Sequence, residues 1–162
     1  MKGAIPLACL LAACGGEKAE KARSPGAELE AAAVRAGLVP DPARASLVGA
    51  YVRGGDRLCV VPGGGGRERV GVLLDYGQGN GCVATGTVAR SGDRLDVALG
   101  PCSIDARFDG ERVTFPAEVD SACDRLCRGN ASLAALSVEQ VSASAAEAAT
   151  LRAPSGKLLC AS

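Results

Sequence analysis

From residue 47 to residue 116 the chain repeats one pattern. Short apolar runs of six to nine residues are broken by stretches containing Gly. Val, Leu, Ile, Thr and Tyr fill the runs, with the partial alternation of strands that bury one face. The pattern predicts strands at 47–53, 57–62, 69–76, 82–90, 94–99, 103–108 and 111–116. After Pro116 the texture changes. A short helical turn is expected at 121–128, closed by Gly129-Asn130, and 131–141 fits a strand or a helix equally. Residues 144–152 read as a helix, with Ser144 and Glu147 at capping-box spacing. Pro154-Ser155-Gly156 then turns into a last strand at 157–160. The fold class expected is mainly β: a small antiparallel meander or barrel with a C-terminal helix, bonded by disulfides.

An internal repeat supports the meander. Val52-Arg53-Gly54-Gly55-Asp56-Arg57-Leu58 resembles Ala89-Arg90-Ser91-Gly92-Asp93-Arg94-Leu95. Residues 106–113 form a looser copy and 66–70 a fainter one. Each sets Gly beside an acid between apolar runs, which is hairpin chemistry. If these turns share one end of a barrel, Arg57, Arg94 and Arg112 would form an anion-binding cluster. The simpler reading is solvated turn charges paired with neighbouring acids.

The first residues carry a different signal. Lys2 precedes an apolar stretch from Gly3 to Leu11, followed by small residues. The stretch is too short to span a bilayer, which takes ~20 apolar residues. Leu11-Ala12-Ala13-Cys14 resembles the lipobox of bacterial lipoproteins. The resemblance implies cleavage before Cys14, acylation of that Cys, and attachment to a membrane through the lipid. Gly15 in the next position implies outer-membrane delivery, facing the periplasm. The expected organisation is a signal peptide at 1–13, a lipidated Cys and tether at 14–42, and a disulfide-bonded β domain at 43–162. Within the tether, 28–36 holds strong helix formers ended by Gly37, after a break at Ser24-Pro25-Gly26. As a coil the tether would reach roughly 30 Å.

Cysteine usage agrees with export. Apart from Cys9 and Cys14, the chain has Cys59, Cys82, Cys102, Cys123, Cys127 and Cys160. An even set in a small exported domain reads as a disulfide framework. Cys82–Cys102 is the first-choice bridge. A three-residue loop centred on Gly92 sets them opposite each other. A two-residue Gly92-Asp93 turn instead aligns Val88 with Val97, and a bulge at Gly100-Pro101 then returns Cys102 towards Cys82. The other four pair among themselves, with Cys160 joined to Cys123 or Cys127.

Candidate chemistry is sparse. The chain has no His, so nucleophilic catalysis lacks its usual base, and the thiol spacings do not make a zinc ribbon. No metal and no cofactor is expected. Cys123 and Cys127 have three residues between them, one more than a redox pair uses. The glycine run Gly63-Gly64-Gly65-Gly66 lacks the Lys and Ser/Thr of a phosphate loop. Carboxylates such as Asp75 with Asp96 or Asp105 are available for pairing, but nothing in the sequence brings them together. Zero net charge, and one excess acid once Lys2 is removed, argue against a nucleic-acid partner.

The layout of acylated Cys, short strands and disulfides is similar to small barrel lipoproteins of the envelope, including membrane-bound inhibitors of c-type lysozyme. In those inhibitors a Ser-Gly loop plugs the enzyme cleft. Ser91-Gly92 resembles that loop, while Leu95 stands where a Tyr is expected. The expected function is a non-catalytic binding or inhibitor module, held by its lipid and meeting an envelope protein. The alternative is a structural or assembly lipoprotein, with an envelope enzyme third.

Overall fold

The computed structural model describes residues 24–39 and 41–160. They fall into two compact units, divided between Leu38 and Val39. The first holds helix α1 (Pro25–Arg35). Its N-cap is Ser24, whose side chain accepts the Ala27 N–H, and Pro25 sits in the first turn. Ser24-Pro25-Gly26 therefore begins the helix rather than breaking it, because Pro has no N–H to lose at that position. Gly37 follows the C-cap with φ of 70°.

The second unit is a closed antiparallel barrel. Its strands are β1 (Gly49–Arg53), β2 (Asp56–Val61), β3 (Glu68–Asp75), β4 (Gly81–Ser91), β5 (Arg94–Leu99), β6 (Cys102–Phe108) and β7 (Arg112–Thr114). They pair in sequence order. A two-residue strand, β8 (Cys127–Arg128), follows a 3-10 turn at Ser121–Leu126. The region left open between strand and helix contains β9 (Ser137–Ser142), which inserts between β7 and β1 and closes the ring. Eight strands thus form the wall, and β8 pairs with the start of β4.

Alternation along each strand sorts residues to the two faces. Leu95, Val97 and Leu99 of β5 point inward, as do Cys102, Ile104, Ala106 and Phe108 of β6. Tyr51 and Phe108 meet edge to face inside, with centroids 6.3 Å apart. The core fills the barrel with Leu, Val and three buried aromatic residues, Tyr51, Phe108 and Phe115. The outer wall carries ion pairs such as Arg67–Asp96 and Arg107–Asp93. That sidedness is the reverse of a membrane-spanning barrel, whose lipid-facing wall is apolar.

A second apolar cluster lies outside the wall. Ala50, Cys59, Val61 and Leu73 are covered by Ala148, Leu159 and Cys160 from the C-terminal segment. The helix expected at 144–152 is a single turn, α2 (Ala145–Ala148), capped by Ser144, whose Oγ accepts the Glu147 N–H at 3.3 Å. It stops because Thr150 and Leu151 bond three residues back, and the Leu151 carbonyl is taken by the Leu159 N–H. The strand expected at 157–160 is reduced to one bridge, Arg152 with Leu158. The strands beneath it, β1 to β3, are already paired on both edges, so this segment lies across the wall as a strap.

Candidate functional site

The hairpin register decides where the predicted site residues fall. Gly54-Gly55 joins β1 to β2, and Gly92-Asp93 joins β4 to β5, each as a two-residue turn. Val88 therefore faces Val97, as the two-residue reading requires. Successive hairpins alternate between the two ends of the barrel. The β1–β2 turn is first, the β4–β5 turn fourth and the β6–β7 turn sixth. Arg57 thus stands at one end, with Arg94 and Arg112 at the other. They do not converge. Arg57 donates to the carbonyls of Gly54 and Asp56. Arg94 lies 3.9 Å from Asp105, and Arg112 bonds Glu139 at 2.6 Å. The Glu139 contact also raises the Arg112 pKa.

The six domain cysteines all form disulfides, in pairs other than the expected ones. Cys59 joins Cys160, Cys82 joins Cys127 and Cys102 joins Cys123. The correction lies in Gly100-Pro101. It is a tight turn, with Leu99 facing Cys102, and not a bulge. Cys102 is thereby carried onto β6, away from Cys82 on β4. The 3-10 turn and β8 supply a thiol to each of them. Cys123 and Cys127 consequently do not bond each other. Cys14 lies outside the described residues.

Both mouths of the barrel are closed. At the mouth with the β4–β5 turn, residues 41–48 run in over the opening. Arg90 of β4 stacks 4.9 Å above the Phe108 ring and donates to Gly92 at 2.8 Å, to Ala45 at 2.6 Å and to Pro42. Gln140 of β9 donates to the carbonyls of Ser46 and Val48 and to the Tyr51 hydroxyl. Tyr51 in turn donates to Leu47 at 2.7 Å, and burial holds its phenol well above the usual range. The opposite mouth is covered by residues 116–136. Leu133, Leu136 and Cys123 enter the core there, and two disulfides tie the cover to β4 and β6.

Beside this covered end, on the outer wall, lies a groove of about 560 Å³. Its floor includes Leu73 and Val83, directly paired across β3 and β4, and Val83 is 45% exposed. Pro154 of the strap forms one side. Arg125, Leu126 and Arg128 form the other. Nothing in the sequence singled out these two arginines, since their meeting with Val83 depends on how the disulfides place the 3-10 turn.

The remaining ionisable groups are dispersed. Asp96 and Asp105 face each other across β5 and β6, each with its own arginine, while Asp75 ends β3 and caps the Gly77 N–H. Burial raises the Asp56 carboxyl above its usual value, and burial followed by the Asp56 charge raises the Tyr76 phenol. Among the described residues no group of three His, Cys, Asp or Glu is placed to hold a metal. No described helix is long and apolar enough to cross a membrane. What the groove offers is an apolar floor, two guanidinium groups and a wall held by a disulfide. No family model matches the chain, no curated protein matches it, and no solved structure matches it.

Proposed function

We propose that this chain is an outer-membrane lipoprotein whose barrel faces the periplasm and acts as a non-catalytic binding module. The observation that carries the reading is the division of the barrel into two unlike ends. The chain enters at one mouth, where Arg90 clamps residues 41–48. The groove lies beside the other. A domain tethered through its entry mouth carries the groove at the end remote from the tether, free to meet a ligand. The packed interior leaves the outer surface as the place for a ligand. Three disulfides fit an oxidising compartment. The Ser91-Gly92 loop is an exposed turn at the entry mouth, so the binding reading rests on the groove and not on that loop.

Two measurements in the producing cell test the reading. Cys14→Ala should abolish lipid labelling and release the chain from the membrane fraction; continued pelleting removes the anchor. A photo-crosslinker placed at Val83 should trap a defined envelope protein. A purified chain that traps nothing and turns over an envelope substrate removes the binding role.

A further inference from the structure

We infer that the groove between the strap and the 3-10 turn binds an extended acidic peptide. A carboxylate of the peptide engages Arg125 and Arg128, and an adjacent aliphatic side chain covers Val83. The inference rests on the binding reading above and names the class of ligand.

Charge is the first argument. Three arginines towards the other end of the barrel are already paired: Arg67 with Asp96, Arg107 with Asp93, Arg112 with Glu139. Among the described residues, no carboxylate lies within ion-pair distance of Arg125 or Arg128. Two acids are nearby. Asp75 lines the groove but is turned to the Gly77 N–H, and Asp124 adjoins Arg125 in sequence. A guanidinium presents a planar fork that matches a carboxylate in two parallel hydrogen bonds. Two such forks on one wall select for negative charge and against a basic segment.

The second argument is the floor. Val83 is an outward-facing aliphatic residue left 45% exposed, and its cross-strand partner Leu73 is buried beneath the strap. Water over this surface is released when an aliphatic side chain covers it. The volume, about 560 Å³, lies within the range of small-ligand pockets (roughly 300–1,000 Å³) and would take a few side chains.

The third argument is rigidity. Cys127 lies between the two arginines and is bonded to Cys82 on β4. Cys127 and Arg128 also pair with Cys82 and Gly81 as a strand. Gly129, at φ of 67°, packs so closely on the Asn80 side chain that a Cβ there would overlap its oxygen. The backbone that carries the two arginines is therefore set before a ligand arrives, which leaves only their side chains to be ordered on binding. An anionic lipid headgroup shares the charge but fits less well. The headgroup carries no aliphatic side chain beside the charge, which the exposed Val83 floor calls for.

The test uses the full chain in a neutral detergent and fluorescence anisotropy with a labelled hexapeptide of alternating Glu and Leu. The expected result is saturable binding, with the Lys/Leu counterpart weaker by about tenfold or more. Arg125→Glu with Arg128→Glu should weaken the acidic peptide by at least about tenfold, while Arg94→Glu with Arg107→Glu leaves it unchanged. Arg125→Gln with Arg128→Gln supplies the same comparison if the charge reversal lowers stability. Equal affinity for both peptides, or indifference to both groove variants, overturns the inference. So does binding of soluble dihexanoyl phosphatidylglycerol with no peptide bound. An envelope protein trapped at another surface, with no peptide bound, overturns the groove assignment and leaves the binding role standing.

Discussion

Gly71 sits on the outer face of β3, where the neighbouring outward residues are large. The reason for a glycine lies across the chain. The Leu159 backbone of the strap passes over it so closely that a Cβ would overlap the Leu159 carbonyl oxygen, with the Leu159 side chain also within contact. Its φ is not positive, so close approach rather than backbone freedom is what the position needs. Gly71→Ala should therefore lift the strap and lower unfolding free energy by about 1–3 kcal/mol, the cost of overpacking. Gly64→Ala, in the open β2–β3 loop with nothing near its Cβ, should stay within about 0.5 kcal/mol. Urea unfolding of the two variants checks the contrast; equal effects would mean that the strap is not seated on β3. In the sequence Gly71 is one more glycine in a β run, because its partner is far along the chain.

At the scale of elements, the strap is held by one covalent bond and a small apolar cluster. Cys59–Cys160 closes the longest loop of the three disulfides, spanning 101 residues. On the chain-entropy scale such a bridge is worth about 4.7 kcal/mol. Cys59→Ala with Cys160→Ala should lower stability by about that amount. It should also make the chain beyond Ser142 sensitive to protease while β1 to β9 stay resistant, because the barrel closes through hydrogen bonds that the strap does not make. Limited proteolysis with mass analysis reads this directly; cleavage inside the strands as fast as in the strap would refute it. The first seven strands were legible as short apolar runs between Gly-bearing turns; β5 and β6 alternate cleanly, whereas β2 and β3 bury both faces because the strap covers their outer side. What alternation leaves undetermined is parity and pairing. The Arg57, Arg94 and Arg112 turns share a local sequence, yet an odd number of strands separates the β1–β2 turn from the β4–β5 turn. That parity puts Arg57 at the other end. Likewise Gly100-Pro101, expected as a bulge, is a turn, and the difference decides which thiol Cys82 meets. The groove was not legible at all, because its wall is placed by that pairing.

At the scale of the molecule, the two units have different sources of order. The barrel closes by bringing β9 to β1, residues far apart in sequence, and its interior is continuous from Leu47 to Val138. Such a ring opens as a whole, because removing any wall strand exposes the shared core. Helix α1 has 11 residues and buries none of them. Its N-cap Ser24 and the Gly37 that follows its C-cap favour the fold locally, but isolated helices shorter than ~12–15 residues are marginal in water. Amide hydrogen exchange should therefore separate the units. Amides of α1 should exchange within about tenfold of an unstructured chain, while those of β5 and β6 exchange only through global opening, slower by about a thousandfold or more. Slow exchange in α1 would mean that another surface covers the helix, and the tether would then be a rigid element. Fast exchange has a functional consequence. A segment that melts and reforms gives the barrel variable reach from its attachment point, whereas the Arg90 clamp fixes how the chain enters the mouth. If the chain is anchored as proposed, the groove can then sweep a volume while its place on the barrel stays fixed.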